Sequence, residues 1–480
     1  MAVISNPQTL DLDDIQGMIT RGYGKLMQTY YFLLQVEDAA KGRAWLKSVL
    51  PTVDSATITN RAQQTVHLAF TFNGLKALGM SDKNAQQFPV PFREGMATDN
   101  RARILGDYGD SDPTNWRWGA TDQHVHILMV LHAVDEDSMK QWLAVQQDLL
   151  TKAGGIKVLK HMSGYQQPDN KEPFGFHDGI SQPTIEGSGR PGPENDIIKT
   201  GEFLMGYKNE HDQYPYTPLL EEQQGNPALL ADDAAGTGKK DLGRNGTFMV
   251  YRQIEQHVDA FWNYMADKTK NPDGTENKEE KVRLAAKCVG RWPSGASLVN
   301  FPDKDPGGAP ANDDFGYADL DPEGLRCPYS SHLRRNNPRD AFRWYNKKQS
   351  LKVTSRHRII RRGRIYKGPD GGGVEKDETG LHFICFNADL QLQFEFIQHA
   401  WANNNQLRHL SNDIDMIIGA PLEQDPSNDK IEATIQALPT NKFVETNYSE
   451  EKGWERFVTI RGGQYFFMPS ISVLNYLTTL

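Results

Sequence analysis

The stretch HILMVLHAVDEDSMKQWLAVQQDLL, residues 126–150, passes from a short apolar run through an acidic break into a helical pattern carrying Trp142. It reads as a strand followed by an amphipathic helix. The same pattern recurs in YYFLLQVEDAAKGRAWLKSVL (30–50), TFMVYRQIEQHVDAFWNYMA (247–266) and HFICFNADLQLQFEFIQHAWAN (382–403). A second strand-like run follows most of them: TVHLAFTF (65–72), GIKVLKHMSGY (155–165) and FVTIRGGQYFFMP (457–469). Strand, helix, strand, repeated twice in each half, predicts two α+β units, each an antiparallel sheet with helices on one face. The pairs divide the chain near residue 215, giving units of 1–215 and 216–480. Such a division also suits 480 residues, which is long for a single core.

Long polar, Gly- and Pro-rich stretches at 185–245 and 266–330 interrupt the pattern and account for much of the mean hydropathy of −0.63. Segments of this length read as functional coverings or disordered insertions. AAGTGKKD (234–241) lacks the first glycine of a phosphate loop and has no Ser or Thr after its lysine, so it is set aside as a nucleotide site.

A net charge of −9 argues against nucleic-acid binding, which needs a concentrated basic face. No uncharged apolar run approaches the roughly 20 residues that span a bilayer. The opening MAVISNPQTLDLDD has no basic region before an apolar core, and three cysteines make no disulfide framework, so a reducing, cytoplasmic setting is expected. One basic cluster stands out from this acidic background, LRRNNPR…RHRIIRRGRIYK between Leu333 and Lys367. It reads either as a solvated face or as a pocket for an anionic group.

Four histidines carry the main alternatives. His124 and His126 lie two apart on a strand and share a face, a spacing metal sites use, but no third ligand sits at a matching position. His399, on the amphipathic helix QFEFIQHAW, reads equally as a functional histidine or as a core one capped by a backbone carbonyl. His332 follows a Cys-Pro break, is flanked by the small Ser330 and Ser331, and precedes an arginine cluster. That setting suits a single axial imidazole on a flat haem whose carboxylates meet arginines such as Arg334, and it equally describes a structural helix end. Consecutive Arg361 and Arg362 on an apolar strand point to opposite faces, so one of them faces inward and must be paired or functional. An inward arginine beside an aspartate on a glycine-flanked loop forms a peroxide-cleaving pair, in which the carboxylate moves the proton and the guanidinium stabilises the departing oxygen. GFHDG (175–179) supplies such a loop.

Taken together these segments resemble the dye-decolourising peroxidases, and specifically one of the larger subclasses, since 29 residues separate His332 from Arg361. DIQGMITRGYG, GFHDG as a G-x-x-D-G signature, DLGRNGTFMVYRQ, CPYSSHLRRNNPR, RRGRIY, LHFICF, DMIIG and RGGQYFFMPS follow in that family's order. The resemblance implies two ferredoxin-like domains, the first carrying the G-x-x-D-G motif and the second holding most of one haem b per chain. It implies hydrogen peroxide as oxidant, dyes, phenols and other bulky donors oxidised in one-electron steps by way of an oxoferryl intermediate, and a possible homo-oligomer. By position, Asp178 becomes the distal acid/base, Arg361 the distal arginine and His332 the iron ligand. Leu381 and Phe383 line the distal pocket. Asp415 accepts a hydrogen bond from His332 or else serves as a helix N-cap. His177 tunes Asp178 or meets a propionate, and Gly175 and Gly179 let the backbone approach the haem. Electrons for large dyes would leave through surface Trp or Tyr, with no choice made among Trp344, Tyr345, Tyr366 and Trp401. Two rival readings stand beside this one: a haem-handling or iron-releasing protein with incidental peroxidase activity, and a non-haem metal protein built on His124 and His126.

Overall fold

The computed structural model describes residues 9–57, 63–120, 124–308, 313–342, 345–406, 413–420 and 456–480, with the backbone of the hairpin Lys430–Ala433 and Val444–Asn447. In the first half, β1 (Gln28–Val36), helix α1 (Ala39–Val49), β2 (Gln64–Phe70), β3 (Ile127–Ala133), α2 (Glu136–Ala153) and β4 (Ile156–Tyr165) form an antiparallel sheet in the order β2-β3-β1-β4. The second half repeats that order with β5 (Thr247–Gln256), helix α3 (Val258–Lys268), β6 (Arg364–Lys367), β7 (Thr379–Asn387) and β8 (Val458–Met468), arranged β6-β7-β5-β8. Both halves are therefore ferredoxin-like, as the repeated pattern and the resemblance imply. Residue 215 lies in the long connection between β4 and β5.

The two sheets join edge to edge. β4 meets β6 at Tyr165 and Ile365, and β2 meets β8 at Phe70 and Phe467, closing a barrel. Most strands are consequently buried on two faces, β4 being the exception, with Lys157, Val158 and Leu159 exposed. Phe32, Leu34, Val66, Leu68 and Met129 pack outward under the helices, while Tyr31, Leu33, Ala69, Leu128 and Val130 fill the barrel. This double burial is why YYFLLQV and ILMVLHA read as continuous apolar runs instead of alternating with polar residues. The interior also holds polar rings satisfied in pairs: His382 donates from Nε2 to the Ser163 carbonyl at 3.1 Å and accepts from the Tyr251 hydroxyl at Nδ1, 2.9 Å away. Burial pushes the His382 pKa down to about 3, so the ring is neutral.

The helices follow from local chemistry. Asp38 and Asp135 cap α1 and α2 by accepting from Lys41 N and Ser138 N, and α2 buries Met139, Trp142, Gln146 and Leu150 at steps of three and four. In place of a regular helix after β7, the turns Gln391–Glu395 and Ile397–Ala402 are wound with the wider π spacing.

The connection from β4 to β5 runs back over the second sheet, where the Glu202 carbonyl accepts from Ala388 N at 2.9 Å and Gln393 Nε2 at 2.8 Å. Burial pushes the Glu202 carboxyl up to about 7 from its ordinary 4.5. An acid that holds its proton more tightly when folded contributes stability below its unfolded pKa, and that contribution is lost as pH rises through the folded pKa. Between about pH 5 and pH 7.5 the native protein should lose roughly 2–3 kcal/mol of unfolding free energy relative to Glu202→Gln. Urea unfolding of both proteins at the two pH values measures this, and a difference that stays constant with pH would refute it.

Candidate active site

One cavity of about 300 Å³ lies against the outer face of the second sheet. Leu381 and Phe383, alternate residues of β7, line it, while His382 between them points into the barrel. Ile254, Val458, Ile460, Phe394 and Ile417 extend its apolar wall.

Asp178 reaches the cavity on a small hairpin that follows β4. Asp178 N donates to the Asn170 carbonyl at 2.7 Å, and Gly175 and Gly179 adopt left-handed φ values of +94° and +82°, which strain any side chain placed there. A Cβ at either glycine would meet nothing within 4 Å, so the backbone angle is what requires glycine in this structure. Gly179 N donates to Asp178 Oδ1 at 2.6 Å, and Gly179 itself does not line the cavity. His177 does line it; its N–H donates to the Pro293 carbonyl at 3.2 Å, and its Nδ1 is buried without a partner among the described residues.

Arg361 enters from the two-residue strand Ile360–Arg361, which pairs with the end of β7. Its backbone N–H donates to Gln182 Oε1 at 3.0 Å and its Nη2 to the Ile180 carbonyl at 2.8 Å, leaving Nη2 3.9 Å from Asp178 Oδ1. Arg362 turns the other way and donates to the carbonyls of Met18, Ile19 and Arg21. The alternation expected of two consecutive arginines on a strand therefore holds.

His332 opens the short helix α4 (His332–Asn336), whose N-cap is Ser331. Its Nδ1–H donates to Asp415 Oδ2 at 2.9 Å, and its side chain is 38% exposed, toward the cavity it lines. Burial disfavours charge on both groups, yet their mutual attraction wins: the imidazole pKa is raised and the carboxyl is lowered. Asp415 Oδ1 accepts from Ile417 N at 2.8 Å and Ile418 N at 3.0 Å, so this one carboxylate is at once a turn cap and the partner of His332. Asn336, absent from the sequence reading, donates to Asp415 Oδ2 at 2.6 Å and holds the acceptor in place.

Arg334 corrects the sequence reading. It lies two residues beyond His332, roughly 200° around the helix, and so points away from the cavity. There it is fully buried, donating to Asp321 Oδ2 at 2.9 Å and the Cys327 carbonyl at 2.8 Å, sandwiched between Tyr317 and Tyr329. The basic cluster is not a solvated face either, since Arg334, Arg335, Arg339, Arg358 and Arg364 are all buried. Arg291, Arg358 and Arg361 line the cavity. Arg291 and Arg339 share Asp313, and Arg358 pairs with Asp196 at 2.8 Å. Although burial alone would raise the Asp313 carboxyl, Arg339 and Arg291 hold it down at about 2. Counting Arg252 and Arg456 with Asp107 and Glu172, which also line the cavity, six arginines face five carboxylates, which leaves positive charge for an anionic ligand.

Other candidates fall elsewhere. His126 Nδ1 accepts from Val36 N at 3.0 Å, and among the described residues no group of three or more His, Cys, Asp or Glu could hold a metal. His399 is exposed on its helix and is not a core residue. Tyr366 and Trp401 are buried, Tyr345 is half exposed, and Trp344 lies outside the described residues.

The donor set fits a haem. His332 presents one ring nitrogen to an apolar-walled cavity while the other is tied to a carboxylate, and unbalanced guanidinium charge stands ready for carboxylates.

Comparisons with known proteins agree along most of the chain. Residues 14–168 match the DyP dimeric alpha+beta barrel domain, and residues 221–416 the C-terminal domain of Dyp-type peroxidases. A dye-decolorizing peroxidase of Mycetinis scorodonius is 29% identical over 99% of this chain and 89% of its own length. The multifunctional dye peroxidase of an Amycolatopsis strain is 27% identical over 97% and 96%. Among solved structures, an ancestral D-type dye decolorizing peroxidase has a TM-score of 0.77 at 27% identity, covering 99% of this chain and 100% of its own. The Auricularia auricula-judae peroxidase gives 0.77 at 25% identity, covering 98% and 100%.

Proposed function

Because this chain belongs to the dye-decolorizing peroxidases, we propose that it is a haem b enzyme in which Asp178 is the distal acid/base, Arg361 its electrostatic partner and His332 the axial ligand. Bound through His332, haem supplies the two-electron reduction of hydrogen peroxide and the one-electron oxidation of organic donors.

The protein's own residues do the rest. A carboxylate oxygen of Asp178 takes the proton of hydrogen peroxide and returns it to the oxygen that departs as water. Arg361, held by the Ile180 carbonyl with Nη2 3.9 Å from Asp178 Oδ1, stabilises the negative charge on that departing oxygen. Asp415 holds the Nδ1 proton of His332, which keeps the opposite nitrogen free as a donor and gives the ring anionic character. Arg291 and Arg358 meet the haem carboxylates, with His177 at the same cavity. Leu381 and Phe383 narrow the space beside Asp178, so peroxide enters and bulky dyes react elsewhere on the protein. A solved member of the family in complex with 2,6-dimethoxyphenol supports phenols among the donors.

The observation that carries this reading is convergence: residues 178, 332 and 361 come from three separate segments to one cavity, close enough for the charges of Arg361 and Asp178 to act on the His332 ring. Protein produced in haem-replete cells should show a Soret band and turn over an anthraquinone dye with hydrogen peroxide, at kcat/KM on the order of 10⁴ M⁻¹s⁻¹ or above. A Soret band with negligible dye turnover would favour a haem carrier, and no band at all would refute the haem assignment.

A further inference from the structure

We infer that Glu172 is a positioning residue for the peroxide step, its carboxylate setting the place of Asp178 over the cavity. This rests on the reading of Asp178 as the distal base.

The hairpin that carries Asp178 is built around Glu172. Glu172 N donates to the Phe176 carbonyl at 2.9 Å and Gly175 N to the Glu172 carbonyl at 2.8 Å, which closes a five-residue turn. The side chain folds back into that turn. Its Oε1 accepts from Phe176 N at 2.9 Å, and its Oε2 accepts from Phe174 N at 3.0 Å and Gln256 Nε2 at 2.7 Å. Three donors therefore meet two oxygens with no acceptor in the set. An ionised carboxylate satisfies all three, whereas an amide must set an N–H against at least one other N–H.

The third donor gives the arrangement its reach. Gln256 ends β5, so this carboxylate ties a hairpin that follows the first half's sheet to the sheet that forms the cavity wall. Apolar contacts clamp the tip from the other side: Phe174 stacks on Phe261 at 4.5 Å, and Trp262 Nε1 donates to the Phe174 carbonyl at 3.1 Å. His177 N, donating to the Pro293 carbonyl at 3.2 Å, fixes the strand of the hairpin that carries Asp178, and the carboxylate fixes the turn before it to β5. Asp178 lies six residues along the chain from that carboxylate.

The fold accepts a cost here. Burial, with the nearby Asp178 charge adding to it, pushes the Glu172 carboxyl up to about 7, so the tie to all three donors is complete above that pH and slackens as the group protonates in acid. A carboxylate retained in so unfavourable a place, on the wall of the reaction cavity, is best explained by what it positions.

Cyanide provides a test that does not depend on turnover. Hydrogen cyanide binds ferric haem as the anion, so a distal base must take its proton. Stopped-flow association of cyanide at about pH 8, where Glu172 is ionised, followed by the Soret shift, should slow about tenfold or more in Glu172→Gln, with haem content and the KM for dye unchanged. Asp178→Asn should slow it further. Wild-type association in Glu172→Gln alongside slow association in Asp178→Asn would overturn the positioning role and leave the base intact. Wild-type rates in both would overturn the reading of Asp178 and this inference with it. Should Glu172→Gln fail to retain haem, Gln256→Met removes the same tie from the donor side: slowed association upholds the role, and an unchanged rate overturns it.

Discussion

Replacing Asp178 with Asn is expected to lower the rate of peroxide reduction by about 10²- to 10⁴-fold while haem stays bound. The amide keeps the size and the hydrogen-bonding reach of the carboxylate but cannot take a proton. Nothing else nearby substitutes for it. Arg361 is a cation, and the Glu172 carboxylate is engaged by three donors within its own turn. His177, next in the chain and the more obvious catalytic side chain, directs its backbone N–H to Pro293 and lines the cavity with its ring. His177→Ala should therefore keep most of the activity. The choice of base also fixes a pH signature, because carboxylates remain ionised in acid where an imidazole is already protonated. Dye oxidation is expected to peak in the acid range. A peak near about pH 8 with collapse below about pH 6, or an Asp178→Asn variant that reduces peroxide at the native rate, would refute the assignment.

Replacing His332 with Ala is expected to abolish the Soret band, whereas His399→Ala leaves it unchanged. The described residues offer no substitute ligand in the right setting. Of the other two histidines that line the cavity, His177 belongs to the hairpin of Asp178. His357 directs Nδ1 to the Leu392 carbonyl and lies flat on Phe396 with ring centres 3.9 Å apart. Among the described residues, only His332 pairs one nitrogen with a buried carboxylate and turns the other toward open space. Pyridine haemochromogen assays of the purified variants measure the outcome, and a His332→Ala protein that retains full haem content would remove His332 as the ligand.

The candidate site was legible in the sequence to an uneven degree. Asp178 and Arg361 could be found because a glycine-flanked acid and a doubled arginine on an apolar strand are local patterns with a chemical meaning. Arg334 misled because its neighbourhood to His332 is one of sequence alone; two steps along a helix lead to the opposite face. Arg291 and Asn336 carried no local signal, since each is defined by a partner brought from elsewhere, Asp313 and Asp415; Arg358 stood only as one of many arginines in the basic cluster, and its partner Asp196 comes from elsewhere too. Glu172 left a faint one, an acid immediately before the apolar run PFGF.

By itself the sequence determined the repeated strand and helix pattern and the two halves, because these depend on residues near one another along the chain; Asp178, Arg361 and His332 stood as candidates through the family resemblance carried by eight motifs in order. The tertiary structure alone decided that the two sheets close into a barrel, through pairings as slight as Phe70 with Phe467 and Tyr165 with Ile365. It decided, too, which arginines face the cavity and that Asp415 is the partner of His332 and the cap of a turn, not of a helix. Contacts across hundreds of residues are set by how faces pack, and no stretch of chain read alone contains that information.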